Sequence, residues 1–430
     1  MNMFDLDRVT GYLEKRFDEF SVIMFTNHDE QIRFSNGSRD LHNIWEESVL
    51  NVFVARGKRT IMTTIKEGSD LEKSIENLSK RLDQAPENPL FFGINDRKQN
   101  YAISGSSDMV FDADNLADQA INGAEDAGSE RMAGIVYAMR SRVEIATRYN
   151  RGNYNSIGVE AVVRSFKNDR SGQACGHSGI GGKLDAYAIG RRSAEGIRNV
   201  ERHEGREGRY DVILAPMAAG NILASGSYAF SAHTVISGLS YLQDMIGKQV
   251  ASPIVSIYDD PTDTMGMGYR FFDEEGTATQ RVPIIDHGSL KTYLHSTSTA
   301  RYMKTETTGN AGIISPEAWQ IEMSAGDRTL DDMISDMHEG LMIMNSWYLR
   351  FQDYRNGVFS TVPRDGVYYI RNGEIKEYWD GIRISDSMPS ILKNISALSK
   401  ESEYVKWWNE ISPSRFPYMI VNGLNVTKSH

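Results

Sequence analysis

The chain has 430 residues, a net charge of −11 and a single cysteine, Cys175. At ~100–200 residues per domain, this length predicts two or three domains with cores that need no disulfides. One cysteine excludes a disulfide framework and any cysteine-rich zinc, iron–sulfur or CxxC redox site, and it fits a reducing compartment. The excess of 58 acidic over 47 basic residues argues against nucleic-acid binding, which depends on neutralising phosphates with Lys and Arg.

The N-terminal segment and the hydropathy pattern predict a protein that does not enter a membrane. Residues 1–9 contain Asp5, Asp7 and Arg8 and therefore lack the apolar core of a signal peptide. No stretch approaches the ~18 consecutive apolar residues of a transmembrane helix. We therefore expect a cytoplasmic location.

The first part of the chain combines helices with segments that predict β-hairpins. Apolar residues at helical spacing predict a first helix over residues 5–20. Turn signals at Asn36-Gly37 and Arg56-Gly57-Lys58 predict antiparallel pairs. Further predicted elements are the strands 21–26, 31–34, 48–55, 60–65, 134–139, 142–148 and 157–165 and the helices 70–82 and 112–128. Because hairpins dominate, we predict an α+β fold that begins with a helix and an antiparallel β-meander.

A glycine-rich stretch, residues 171–182, is predicted to be a flexible connector, and we place a domain boundary near residue 185. The predicted domains are residues 1–185 and 186–430, the second mostly antiparallel β with helices. Residues 183–207 interleave Arg with Glu and predict a solvated helix with ion pairs one turn apart. Later predicted elements are the strands 209–215, 254–258, 268–272, 280–285, 290–295 and 418–421, the helices 217–245, 331–344 and 388–398, and a hairpin of residues 367–370 and 374–379 around Asn372-Gly373.

Familiar catalytic motifs are absent from the sequence. The glycine-rich stretch followed by Lys183 lacks the spacing and the hydroxyl residue of a phosphate-binding P-loop. Cys175 and His177 have no third residue to orient them as a nucleophile and its base. His203-Glu204 and His338-Glu339 lack a second His one turn later, so we expect surface pairs on helices rather than zinc sites.

Acidic residues cluster in two predicted turns, Asp259-Asp260-Pro261-Thr262 and Asp273-Glu274-Glu275-Gly276. Consecutive acids between strands are usually solvated turn residues. The alternative is that the two turns line a cleft and bind polar main chain of a ligand.

The order of motifs around these turns resembles the TldD/PmbA family, whose members are also called TldD/TldE or modulators of DNA gyrase. The two acidic turns are followed by Ile284-Ile285, Gly288-Ser289-Leu290, Tyr293-Leu294 and Thr299-Ala300, as in the central signature of that family. The N-terminal elements and the segments 211–216 and 346–363 are also similar to this family.

The TldD-type members of the family carry an HExxxH motif and a C-terminal Cys that hold zinc. Here residues 216–223 match the lead-in to that motif, but Ala224, Ser225 and Ala229 stand where the first His, the Glu and the second His would be. Neither a metal ligand nor a general base is available at these positions. The nearby His233 is expected to be a structural residue. The C-terminal segment resembles the TldE/PmbA ending.

The resemblance therefore implies a metal-free TldE-type subunit of a TldD/TldE peptidase complex in which zinc belongs to the TldD partner. It also implies an extended peptide substrate, with this chain completing the cleft. The residues expected to hold the turns of that cleft, either structurally or by touching the ligand, are Asp260, Thr262, Phe272, Asp273 and Glu275. The alternative is a stand-alone homodimeric peptidase or hydrolase that uses other residues. Regulation of gyrase rests only on the family's name.

Overall fold

The computed structural model describes residues 4–101, 110–312, 314–407 and 412–429. Within these ranges no helix is both long enough and apolar enough to cross a membrane. The helices and strands form two large sheets with helices packed on them, which confirms the α+β prediction.

The N-terminal sheet has six strands in the order β3-β2-β1-β4-β5-β6, and all its pairs are antiparallel. The strands are β1 (Glu19–Ser35), β2 (Ser38–Arg56), β3 (Arg59–Lys66), β4 (Arg131–Thr147), β5 (Arg151–Lys167) and β6 (Arg170–Gly179). The helices that accompany it are α1 (Leu6–Glu14), α2 (Leu71–Gln84), α3 (Ala113–Asp126) and α4 (Ala186–Glu195). Strands predicted as short pieces are therefore continuous, because β1 spans both 21–26 and 31–34.

The C-terminal sheet has twelve strands, most of them antiparallel. They are β7 (Glu201–Glu204), β8 (Gly208–Leu214), β9 (Ile257–Asp259), β10 (Val282–Asp286), β11 (Ser289–Leu290), β12 (Ile321–Met323), β13 (Glu339–Asp353), β14 (Val358–Arg371), β15 (Glu374–Asp380), β16 (Ile382–Ser387), β17 (Ile395–Val405) and β18 (Ser414–Lys428). Its helices are α5 (Pro216–Ser225), α6 (Ala232–Ile236), α7 (Thr297–Met303), α8 (Leu330–Ser335) and α9 (Met388–Asn394), with a short 3₁₀ helix at Gly226–Phe230.

The largest hydrophobic core joins the two sheets. Val162 of β5 and Cys175 of β6 belong to the same buried cluster as Leu214 of β8 and Ile222 of α5. Burial raises the pKa of the Cys175 thiol to about 12, so the side chain is a protonated core residue. The division into domains at residue 185 stays a prediction, and α4 beyond it packs on β5 and β6 of the N-terminal sheet.

The prediction that residues 171–182 form a flexible connector is wrong, because most of them form the buried strand β6. Its glycines are required by close packing. A Cβ on Gly172 would lie 2.3 Å from the carbonyl oxygen of Ser193 in α4, and one on Gly179 would lie 2.2 Å from that of Gly266. Glycine in a strand can mark such a close approach of another backbone as well as flexibility.

The predicted helix over residues 183–207 is also wrong beyond Glu195. The chain turns at Gly196 and forms β7, which pairs in parallel with β15. Arg202 binds the carboxylates of Asp169 and Asp380, so its ion pairs link different elements instead of turns of one helix. The pair His203-Glu204 is exposed, as expected, but it lies on this strand.

Three other predicted helices are shorter than expected and give way to other structure. In residues 331–344 the helix α8 ends at Ser335 and β13 begins at Glu339, which places His338-Glu339 at the start of a strand. Residues 388–398 pass from α9 into β17, and residues 217–245 break into α5, the 3₁₀ helix and α6. Residues 268–272 form no regular strand. The hairpin at Asn372-Gly373 is confirmed, with both residues at positive φ.

Candidate functional site

The first acidic turn is internal. Asp259, at the end of β9, is fully buried and accepts the N–H groups of Trp319 and Gln320, both at 2.8 Å. Burial raises the pKa of Asp259 to about 7. Its neighbour Asp260 accepts both the N–H and the hydroxyl of Thr262, at 3.1 and 2.5 Å, and pairs with Arg281. Asp260 is buried and Thr262 is exposed, so this pair shapes the turn.

The second acidic turn is organised around Asp273. One oxygen of this buried carboxylate accepts the N–H groups of Glu275 and Thr277, at 3.0 and 2.8 Å, and the other accepts that of Ala311 at 3.0 Å. Burial raises the pKa of Asp273. Phe272 packs between Tyr101 and Tyr154 with ring centroids 5.1 Å apart in both pairs. The expectation of solvated turns is therefore wrong for Asp259, Asp260 and Asp273. Their carboxylate oxygens accept hydrogen bonds from main-chain and side-chain donors of the protein instead of from water.

Of the five predicted cleft residues, Glu275 lines the cavity described next. Its carboxylate accepts the N–H of Thr297 at 2.9 Å, at the start of α7. Burial and the nearby charge of Asp273 raise the pKa of Glu275. The cavity, about 260 Å³ in volume, is also lined by His233 of α6, Ser296 and Met62 of β3. We call it the Glu275 cavity.

A second cavity of about 390 Å³ lies against the end of α5, and we call it the α5 cavity. Ala224 and Ser225 line it together with Thr234, Glu317 and Ser412. Ala229 is fully buried in the 3₁₀ helix and is not part of the lining. Ser315 and Pro316 line both cavities, and the consecutive residues His233 and Thr234 line one each. The two cavities are therefore neighbours, and together they form what we call the groove.

The α5 cavity does not fit a zinc ion. Of its lining residues, only Glu317 carries a carboxylate, and no imidazole or thiol lines it. Over the described ranges, three side chains able to share a metal come together at Glu30, His42 and Asp114, on the N-terminal sheet and α3. Ala224, Ser225 and Ala229 supply no ligand, so no chemistry through a metal follows from this helix.

Asn221 holds α5 in place, and the sequence analysis missed it. Pro216 starts the helix, and Asn221 is buried one turn before the cavity. Its amide nitrogen donates to Asn345 and to the carbonyl of Ser346, both at 2.8 Å, and its oxygen accepts the indole N–H of Trp407 at 2.6 Å. A buried Asn inside an apolar helix is the signal that could have identified it, since buried amides need partners.

The edge of the N-terminal sheet forms one wall of the groove. Thr60, Ile61 and Met62 of β3 line the Glu275 cavity. β3 is an edge strand, and in the described part of the chain its outer side is bridged only where Arg59 meets Glu87. The remaining main-chain groups on this side can pair with an added strand.

Comparison with known proteins agrees with the resemblance seen in the sequence. The family description "PmbA/TldA metallopeptidase C-terminal domain" matches residues 207–428. A metalloprotease of Methanocaldococcus jannaschii is 30% identical over 203 residues, which cover 46% of this chain and 45% of the relative. A metalloprotease of Methanothermobacter thermautotrophicus is 27% identical over 258 residues, or 56% of each chain. The chain thus spans about half the length of these curated relatives.

A solved structure shows that the likeness in fold extends over the whole chain. TldE from Thermococcus kodakarensis has a TM-score of 0.85 and covers 98% of this chain and 99% of its own, at 16% sequence identity. At this identity the likeness concerns the fold alone. The family match, in contrast, takes in more than half of the residues, and the chain belongs to the PmbA/TldD family.

Proposed function

We propose that this chain is a TldE-type subunit of a TldD/TldE peptidase complex and is metal-free at α5, where TldD-type members hold zinc. The observation that carries the proposal is the combination of a formed groove with an α5 cavity whose lining offers one carboxylate and no imidazole or thiol. A zinc-bearing TldD-type partner would supply the metal and the hydrolytic step. This chain would complete the peptide-binding cleft and position the partner, in the cytoplasm.

The substrate that suits the groove is an extended peptide. An added strand could pair with the outer edge of β3, which would give affinity through main-chain hydrogen bonds with little dependence on sequence. The adjoining wall is apolar, because Phe53, Met62 and Phe91 line the Glu275 cavity. Asp273 and Phe272 would act indirectly, by fixing the turn that carries Glu275.

The proposal is tested by purifying the chain from its native cell and assaying peptide hydrolysis with and without its partner. We expect recovery of a related chain that carries HExxxH, hydrolysis by the complex, and loss of hydrolysis when a zinc chelator is added. This chain alone is expected to be inactive. Chelator-sensitive cleavage by this chain alone, or a stable homodimer with no such partner, would contradict the proposal and favour the stand-alone enzyme.

The groove is tested separately by a pair of matched substitutions. Met62 lines the Glu275 cavity, whereas Met265 is 46% exposed and lies outside both cavities. Met62→Lys places a charge on the apolar wall and should weaken peptide binding by the complex by about tenfold, since a buried apolar contact contributes about 1–2 kcal/mol. Met265→Lys should leave binding unchanged. Equal effects of the two substitutions, measured by titration with a fluorescent peptide, would contradict the placement of the peptide.

A further inference from the structure

Outside the groove, three side chains that can bind metal converge where β1, β2 and the start of α3 meet. Glu30, His42 and Asp114 place their ligand atoms within 4.8 Å of one another. The Nε2 of His42 lies 2.8 Å from Oε1 of Glu30. The cluster lies on the N-terminal sheet and α3, whereas HExxxH belongs to the helix that is α5 here.

Regular structure holds these three side chains at their positions. Ile32 on β1 faces His42 on β2, and Glu30 is two residues from Ile32 on the same face of the sheet. That face packs against α3, because Ile32 shares a buried cluster with Leu116 of the helix. The start of α3 is fixed by Asp112, whose carboxylate accepts the N–H of Asn115 at 3.0 Å. Ligands carried on rigid elements need little reorganisation to bind an ion.

The donor set is one imidazole nitrogen and two carboxylate oxygens. Imidazole suits zinc and neighbouring transition metals, whereas Mg²⁺ and Ca²⁺ prefer oxygen ligands throughout. Catalytic zinc sites use three protein ligands and keep a position open for water. The side chains of Glu30, His42 and Asp114 are 23%, 43% and 47% exposed, so an ion from solvent can reach all three.

The charges around the cluster leave room for a divalent cation. Glu30, Asp114 and Asp118 carry three negative charges against the two positive charges of Arg39 and of Arg140, which lines a cavity together with Glu30. Arg39 now pairs with Asp114, and its Nε also lies 3.5 Å from Asp118. If an ion bound Asp114, Arg39 would therefore lose this pair but could keep its contact with Asp118. We propose that Glu30, His42 and Asp114 form a zinc site that fastens the start of α3 to the β1–β2 hairpin.

The experiment is a calorimetric titration of the metal-stripped, full-length chain with Zn²⁺, repeated with Co²⁺, whose visible absorption reports the ligand geometry. We expect one equivalent to bind. His42→Ala, Glu30→Gln and Asp114→Asn should each weaken zinc binding by at least about tenfold. Even substitution of a residue that only hydrogen-bonds to a metal ligand lowers metal affinity by about 10–100-fold. Zinc should raise the melting temperature of the parent chain and leave that of the His42→Ala variant unchanged.

Two control substitutions make the test specific. His28 is an exposed histidine on β1 that lies 3.2 Å from Glu46, and His28→Ala should leave zinc binding unchanged. Arg39→Ala removes the competing cation and should tighten binding. The proposal is overturned if no equivalent binds, if His42→Ala binds as well as the parent chain, or if Arg39→Ala weakens binding. The proposed function requires only that α5 carries no catalytic metal and that this chain alone does not hydrolyse peptides, so a zinc ion that binds at His42 without such activity would leave that proposal untouched.

Discussion

The two halves of the groove differ in the chemistry that they keep. The Glu275 cavity presents a carboxyl group with a raised pKa, an imidazole and several hydroxyl groups. In the α5 cavity, the helix contributes only Ala224 and Ser225 where relatives of the TldD type carry ligands. The comparison teaches that the architecture of the groove and the chemistry of the side chains that line it are separable. The turns that shape the groove depend on buried hydrogen bonds, whereas the side chains that line it can be exchanged individually.

The largest expected effect comes from removing the carboxylate that organises the Glu275 cavity. Asp273→Ala leaves three N–H groups without their acceptor, two of them on buried residues, and we expect the free energy of unfolding to fall by about 3–5 kcal/mol. Asp260→Ala should lower it by only about 1–2 kcal/mol, because Thr262 and much of Arg281 are exposed and can bind water. Urea denaturation of the two variants measures the difference. Equal losses would show that the two turns support the groove equally.

The next prediction concerns the α5 cavity. Ala229 is fully buried, so Ala229→His overfills the core and should cost about 2–3 kcal/mol of stability. Ser225 lines the cavity and is partly exposed, and Ser225→Glu should cost less than about 1 kcal/mol. Thermal denaturation tests both. If Ala229→His is tolerated as easily as Ser225→Glu, the structure around the 3₁₀ helix has more room than its burial indicates.

The buried carboxyl groups of the two acidic turns predict how stability depends on pH. Asp259, Asp273 and Glu275 have pKa values raised by burial, so between their unfolded and folded pKa values the folded state binds more protons than the unfolded state. Stability contributed by these groups is therefore greatest at and below about pH 4 and is lost as the pH rises through the folded values, by up to about 1.4 kcal/mol per pH unit for each group.

Glu275→Gln keeps an acceptor for Thr297 and removes one of these titrations. The melting temperature of this variant should fall less between pH 5 and 8 than that of the parent chain. The matched control is Glu306→Gln, at an exposed position paired with Arg97, which should leave the slope of the parent chain unchanged. A steeper fall in the Glu275→Gln variant would contradict the assigned direction of the pKa shift.

The fold class could be predicted from the sequence because hairpin signals are local. Asn372-Gly373 determines its turn through two residues that accept positive φ. The glycines of β6 misled the prediction, because glycine is selected both for flexibility and for close approach. Distinguishing the two requires knowing that α4 and residues 264–266 cross the strand. The prediction of one helix over residues 331–344 failed because a helix and a strand follow each other within one segment of regularly spaced apolar residues, where tertiary pairing overrides periodicity.

The candidate site could be predicted only in part. The replacement at Ala224, Ser225 and Ala229 is readable from sequence once the surrounding motif is recognised. The segments packed over the acidic residues decide which of them contact solvent. The N–H groups that bind Asp259 and Asp273 come from residues remote in sequence, Trp319 and Ala311. The part played by β3 was likewise hidden, because its contribution to the groove depends on how the two sheets meet.

The three hydrogen bonds of Asn221 have a mechanical consequence. They tie one side chain of α5 to β13 and to Trp407 at the same time. Sliding the helix along its axis would break all three hydrogen bonds together, and breaking hydrogen bonds of buried groups is costly. The helix is therefore a stiff template. A ligand that enters the α5 cavity has to adapt its own shape to Ala224 and Ser225, the end of this otherwise buried helix.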